Sequence, residues 1–161
     1  MLSETMSELR ANHVLLVEDN PADARLTALA MEEAGLPGTL ATVGDGERAL
    51  DYLFRRPPYS DAPRPDLVLL DLNMPRLNGK ACLARLRADE RTMDLPVIIL
   101  STSDSPEDIS DSYRLHASFY LVKPGDFSEL VEAFQSLREF WFEQAAQPDT
   151  EREESVAGPS D

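Results

Sequence analysis

Residues 67–79 read LVLLDLNMPRLNG. Four consecutive apolar residues, Leu67 to Leu70, stop abruptly at an aspartate, Asp71, and a turn containing proline and glycine follows. A run this short and this continuously apolar reads as a strand covered on both faces, because a half-exposed strand would alternate apolar with polar. The same grammar recurs at 14–17, 40–43, 97–100 and 120–122. Segments with helical spacing of apolar residues separate the runs. Strands that alternate with helices pair in parallel through right-handed crossovers. The expected architecture is therefore α/β, a doubly wound five-stranded parallel sheet.

Several helix starts are legible. Asn20 can cap a helix whose first residue is Pro21, Ser105 with Pro106 and Asp108 repeats that pattern, and Asp126 with Glu129 spells a capping box. Gly79 opens a further helix that runs through Leu86, and another is expected over 47–54. The connection at 55–65, RRPPYSDAPRP, holds four prolines and is expected to be extended and stiff.

The chain has 161 residues, 42% of them apolar, enough for one domain with a full core. A single cysteine, Cys82, rules out an intrachain disulfide and a thiolate zinc cluster, and reads as a small buried hydrophobe. Thirty acids against fifteen bases, a net charge of −15, argue against nucleic acid and anionic membranes as partners. No run approaches the roughly 20 apolar residues of a membrane span, and the N-terminus lacks the features of a signal peptide, so a cytoplasmic protein is expected. Five acids and one base fall in residues 146–161, an acidic tail expected to be disordered. With residues 1–12 as an N-terminal extension, 13–145 remain as the folded domain, itself at −10.

In an open parallel sheet the ligand site lies beyond the carboxyl ends of the strands. The first run ends in Glu18 and Asp19, the third in Asp71, the fourth in Ser101, and the fifth in Lys123 before Pro124. Parallel strands would bring all of these to one rim. Two unit charges about 4 Å apart repel by roughly 4 kcal/mol at an effective dielectric near 20, so three gathered carboxylates call for a cation. All-oxygen ligation suits magnesium, which shares its sphere readily with a phosphoryl group. Lys123 adds a positive charge, Ser101 a hydroxyl, and one carboxylate a nucleophile. Residues 101–103 are Ser, Thr and Ser, so a one-residue slip would put Thr102 in place of Ser101.

With VEDN at 17–20, DLNMPRLNG at 71–79, LSTS at 100–103 and YLVKP at 120–124, the stretch from about 14 to 142 resembles the receiver domains of two-component response regulators. The resemblance implies the flavodoxin-like (βα)5 fold with strand order 2-1-3-4-5. It implies Asp71 as phosphoacceptor, with Glu18, Asp19, Asp71 and the backbone carbonyl of Asn73 around Mg2+, and Lys123 on a phosphoryl oxygen. Ser101 would be the switch hydroxyl and Tyr120 the aromatic that changes rotamer with it, although Tyr120 taken alone reads as core. Asn73 and Ser103 would tune dephosphorylation, and Lys123–Pro124 would be cis. The implied phosphodonor is a sensor histidine kinase, and the protein would be a phosphoacceptor that dephosphorylates itself, not an enzyme.

Only 37 residues follow Pro124, which points to output by partner binding or by relay to a histidine phosphotransfer protein. The last helix carries an apolar stripe at Phe127, Leu130, Val131, Phe134, Leu137 and Trp141, and adds Phe140 and Phe142 outside it. Phe140, Trp141 and Phe142 are candidates for a homodimer interface. The PRPD-ending connection and the FW pair resemble phytochrome-associated single-domain regulators, which implies a light-sensing phytochrome kinase as partner. Two rivals use the same residue types: a haloacid-dehalogenase-like phosphatase, which would carry a second Asp where Asn73 stands, and a receiver-shaped scaffold that is never phosphorylated. A flavodoxin-like cofactor binder would find Glu18 and Asp19 repelling its phosphate.

Overall fold

The five apolar runs pair side by side in a computed structural model that describes residues 13–139 except Pro75. The strands are β1 (His13–Val17), β2 (Thr39–Val43), β3 (Leu67–Leu70), β4 (Val97–Ser101) and β5 (Phe119–Val122). They form one sheet, all parallel, in the order β2-β1-β3-β4-β5. Between them run the helices α1 (Pro21–Glu33), α2 (Gly46–Leu53), α3 (Gly79–Arg87) and α4 (Pro106–Arg114), and α5 (Phe127–Leu137) follows β5.

Every residue of β1, β3 and β4 is buried, whereas β2 and β5 at the edges are partly exposed. The alternation hidden inside each apolar run now becomes visible as two cores. Leu15, Val17, Val68, Leu70, Val97 and Ile99 face Ala49, Leu50 and Leu53 of α2 and Cys82, Leu83 and Leu86 of α3. Val14, Leu16, Leu67, Leu69, Ile98 and Leu100 face Ala30 and Met31 of α1 and Leu130, Val131 and Phe134 of α5. Cys82 is fully buried, as the sequence suggested.

The helix ends follow local chemistry, with corrections. Asn20 accepts from the N–H groups of Ala22 and Asp23, and Ser105 accepts from Asp108, as expected. Asp126 makes no cap bond; its carboxylate is taken by the Ser128 hydroxyl at 2.8 Å instead. The second helix begins at Gly46, capped by Asp45, whose carboxylate accepts from the Arg48 N–H. Gly35, at φ 77°, ends α1 with Leu36 bonded back to the Met31 carbonyl, the left-handed stop that glycine permits.

Residues 55–62 of the connection are not extended. They fold into turns closed by bonds from Tyr59 to Arg56 and from Ala62 to Tyr59, and the Tyr59 ring packs 5.3 Å from that of Tyr52. The N–H groups of Arg55, Arg56, Tyr59 and Ala62 find local acceptors, and the aromatic contact anchors the connection. The bond before Pro124 is trans, the intrinsically preferred form of an X-Pro bond. Phe127 is exposed at 41%, so the buried part of the last stripe starts one turn later. A side chain at the first helical residue leans back past the helix start, beyond the layer that the stripe covers. The extension at 1–12, the tail at 146–161 and the trio Phe140, Trp141 and Phe142 lie outside the described residues.

Two glycines test this packing. A Cβ on Gly46 would sit 2.3 Å from the Leu77 carbonyl oxygen, whereas one on Gly125 meets nothing within 4 Å. Gly46→Ala is expected to cost about 1–3 kcal/mol in urea unfolding, and Gly125→Ala less than about 0.5 kcal/mol. Similar costs for the two would contradict the close approach of α2 to Leu77.

Candidate functional site

The strand ladder overruns the strands and pins the residues that follow them. The Glu18 N–H donates to Val43 O at 3.0 Å, Asp71 to Val17 O at 3.1 Å, and Lys123 to Ser101 O at 2.6 Å. Each side chain therefore leaves the sheet from a fixed backbone. Carboxylate oxygens of Glu18, Asp19 and Asp71 gather within 4.8 Å of one another, with Glu18 buried, Asp71 half-buried and Asp19 exposed. The sequence placed these three acids on one rim, and the topology brings them together.

Lys123 does not wait there unpaired. Its Nζ donates to Glu18 Oε1 at 3.0 Å, and the two side chains are only 11% and 4% exposed. Glu18 Oε2 accepts from the Asn20 N–H at 3.1 Å, so both carboxylate oxygens are engaged. A pair this dry offsets its desolvation only because those bonds are made. One ammonium is thus committed to one of three carboxylates. Asp71 is left with the surplus: burial, then the charge of Glu18, pushes its carboxyl up to about 6, against the pull of Lys123 and of the Asn73 and Leu72 N–H groups. Hard oxygen donors with uncompensated charge suit a divalent cation such as magnesium.

The main chain of Asp71 is also crowded from behind. A Cβ on Gly79 would stand 2.3 Å from the Asp71 carbonyl oxygen and 2.6 Å from Leu72 Cα, and the Gly79 N–H bonds to Leu72 O at 2.9 Å. Helix α3 therefore starts directly against the site, capped by Asn78. The sequence marked Gly79 as a helix start; the contact that requires glycine is a close approach to the backbone seven and eight residues earlier, set by how the intervening turn folds.

At the end of β4, Ser101 is fully buried and Thr102 exposed, which settles the register in favour of Ser101 as the inward hydroxyl. Its Oγ accepts from the Ser103 N–H at 3.2 Å. Tyr120 is both core and polar: it is buried in the core on the same sheet face as α2 and α3, while its hydroxyl donates to the Ser103 carbonyl at 2.8 Å. Its N–H donates to the Tyr113 hydroxyl at 3.0 Å, a bond that nothing in the sequence announced. Asn73 is exposed, its N–H 3.5 Å from Asp71 Oδ1, and Ser103 is half-buried with its hydroxyl on Asp108.

Residues 14–135 match the family model described as the response regulator receiver domain. The response regulator Rcp1 of Synechocystis is 35% identical over 135 residues, 84% of this chain and 92% of the relative. Among solved structures, the phosphorylated cyanobacterial phytochrome response regulator RcpA superposes with a TM-score of 0.78 at 40% identity, covering 85% of this chain and 98% of that one. The Mn(2+)-bound form of Rcp1 gives 0.76 at 34% identity, covering 85% and 99%. A parallel sheet in this order, with acids, lysine and buried serine on its carboxyl rim, agrees with those matches, and the chain belongs to the response regulator receiver domain family.

Proposed function

We propose that this response regulator takes a phosphoryl group on the Asp71 carboxylate from a sensor histidine kinase and signals by phosphorylation-dependent partner binding. The observation that carries the assignment is the surplus charge at Asp71: a half-buried carboxylate, crowded by Glu18 and Asp19, with a single lysine already paired. Glu18, Asp19, Asp71 and the carbonyl of Asn73 would hold Mg2+. When bound, the ion neutralises charge on the phosphoryl oxygens and on the acids.

In the step itself an Asp71 oxygen attacks phosphorus in line, the P–N bond to the donor imidazole breaks, and an acyl phosphate remains. Lys123 needs only a short reach from Glu18 to meet a phosphoryl oxygen, and Ser101 offers its hydroxyl to another. Movement of that hydroxyl is passed to Tyr120 through their shared neighbour Ser103, which changes the α4, β5 and α5 surface offered to a partner. Asn73 and Ser103 set how readily water reaches the acyl phosphate, and hydrolysis resets the protein, which is a stoichiometric acceptor rather than an enzyme.

The phosphorylated state of RcpA and the manganese-bound state of Rcp1 support the acceptor and cation readings, and the similarity to RcpA, a phytochrome response regulator, supports a phytochrome-type kinase as phosphodonor. A histidine phosphotransfer protein is a second possible recipient of the phosphoryl group. The same reading puts the chain in the cytoplasm with its kinase. Exposed Phe119, Val122 and Phe127 support a homodimer at the β5 and α5 edge, and the sequence offers Phe140, Trp141 and Phe142 as further interface candidates.

With acetyl phosphate and magnesium, intact-mass analysis is expected to find one phosphoryl adduct on the wild type, little without magnesium, and none on Asp71→Asn. Equal labelling of wild type and variant would sink the assignment. Stability supplies an independent check. The folded pKa of Asp71, about 6, lies above its unfolded value, so the folded state binds the extra proton between the two. Asp71→Asn should then stabilise the metal-free protein above pH 6 and lose that gain as pH falls toward about 4. Allowing for solvent screening of a half-exposed group, the gain should be about 1–2 kcal/mol. Urea unfolding in a chelator at both ends of this range measures it, and a gain independent of pH would contradict the charge surplus. For the dimer, sedimentation of Phe140→Ala and Trp141→Ala should show dissociation; an unchanged oligomeric state in both removes that interface.

A further inference from the structure

Ser103, in the loop between β4 and α4, has every polar group engaged, and the bonds lead to different elements. Its N–H donates to Ser101 Oγ at 3.2 Å, and its carbonyl accepts from the Tyr120 hydroxyl at 2.8 Å. Its own hydroxyl donates to Asp108 Oδ2 at 2.6 Å and accepts from the Ser105 N–H at 3.3 Å. Asp108 uses its other oxygen to accept from Lys80 Nζ at 2.7 Å, across the gap from α4 to α3. The same ammonium donates to Asp111 Oδ2 at 3.0 Å. Lys80 immediately follows Gly79, whose Cα lies against the Asp71 backbone. A chain of contacts therefore leaves the back of Asp71, crosses to α4, and returns through Ser103 to the buried hydroxyl of Ser101.

The chain has two lysines, and both sit in ion pairs of this region: Lys123 on Glu18, Lys80 on Asp108 and Asp111. The second pairing serves no part of the phosphoryl chemistry derived above. Its effect on that chemistry is positional. With the Ser103 N–H fixing its oxygen, the Ser101 hydroxyl keeps its own hydrogen free to donate, and a donor already in place needs no reorganisation when charge develops on a phosphoryl oxygen. The placement of that N–H depends on how Ser103 itself is held, and the bond to Asp108, at 2.6 Å, is the shortest of those that hold it.

We propose that Lys80 is a positioning residue for the phosphoryl site: by gripping Asp108 it fixes Ser103, and through Ser103 the hydroxyl of Ser101. The proposal rests on the reading of Asp71 as phosphoacceptor. Because the side chains of Lys80 and Asp108 are 32% and 27% exposed, salt screens the pair. Ionic strength then acts on the loading of Asp71 through α3 and α4 as well as through the site itself.

The test uses the full chain with acetyl phosphate and magnesium, following Asp71 labelling by intact mass in wild type, Lys80→Met, Lys80→Arg, Asp108→Asn and Asp71→Asn. Lys80→Met should label about two- to fivefold more slowly at low salt, the range a half-exposed ion pair can transmit. Asp108→Asn, which weakens the pair from the other helix, should slow labelling similarly, and Lys80→Arg should restore most of the rate. The gap between wild type and Lys80→Met should close at about 0.5 M salt, where the screening length is only a few ångströms. A wild-type rate in Lys80→Met at low salt, with Asp71→Asn unlabelled, overturns the proposal and leaves the phosphoacceptor reading intact. So does slowing that arginine fails to rescue or that persists in salt, because a packing role for the lysine stem would behave that way. Full labelling of Asp71→Asn would overturn the phosphoacceptor reading and the proposal together.

Discussion

The ion pair between Glu18 and Lys123 joins residues 105 apart in sequence, at 3.0 Å and almost without solvent. Strands β3 and β4 lie between the strands that carry the two partners, so the contact can form only across the rim where Asp71 and Ser101 emerge. Its formation fixes the charge state of everything beneath it. The single ammonium on the rim is spent on the most buried carboxylate, and Asp71 and Asp19 are left in excess. Burial first and this imbalance second raise the affinity of Asp71 for a proton, and the imbalance makes the cluster fit for a divalent cation.

Holding such a site together requires a rigid frame, and the doubly covered sheet supplies it. β1, β3 and β4 have no exposed residue, and their alternating side chains fill two separate cores. Backbone bonds that continue past the strand ends leave Glu18, Asp71 and Lys123 little freedom. The start of α3 is packed so closely behind Asp71 that no side chain fits at Gly79. The loop that follows β4, Thr102 to Ser105, is held by side-chain hydrogen bonds rather than by core packing. A packed acceptor beside a loop held only by hydrogen bonds suits a two-state response to one added charge.

Residue patterns made much of this legible because the signals were local. Asn20 with Pro21 and Ser105 with Pro106 cap helices by bonds within three residues, and a four-residue apolar run needs no partner to be read as a buried strand. The same reasoning failed wherever a competing contact was at hand. Asp126 has the residue type and spacing of a cap, but the Ser128 hydroxyl takes its carboxylate. The proline-rich connection reads as extended, yet the Tyr59 and Ala62 N–H groups close turns and Tyr59 docks on Tyr52. Phe127 fits the apolar stripe by spacing and still projects past its end.

By itself the sequence determined the strand set, its parallel pairing, and which acids and lysine would share a rim with a hydroxyl from residues 101–102. These follow from periodicity and from the rule that parallel strands end on one side. Only the tertiary structure decided how that rim is wired. It put Ser101 inward and Thr102 outward, paired Lys123 with Glu18, seated Gly79 on the Asp71 backbone, and linked Lys80 through Asp108 and Ser103 to the buried hydroxyl. The pairings of Lys123 with Glu18 and of Lys80 with Asp108 join residues 105 and 28 apart, and nothing in the chain announces either. The partner a charged or small residue finds is set by packing geometry, and that geometry exists only once all five strands are in register.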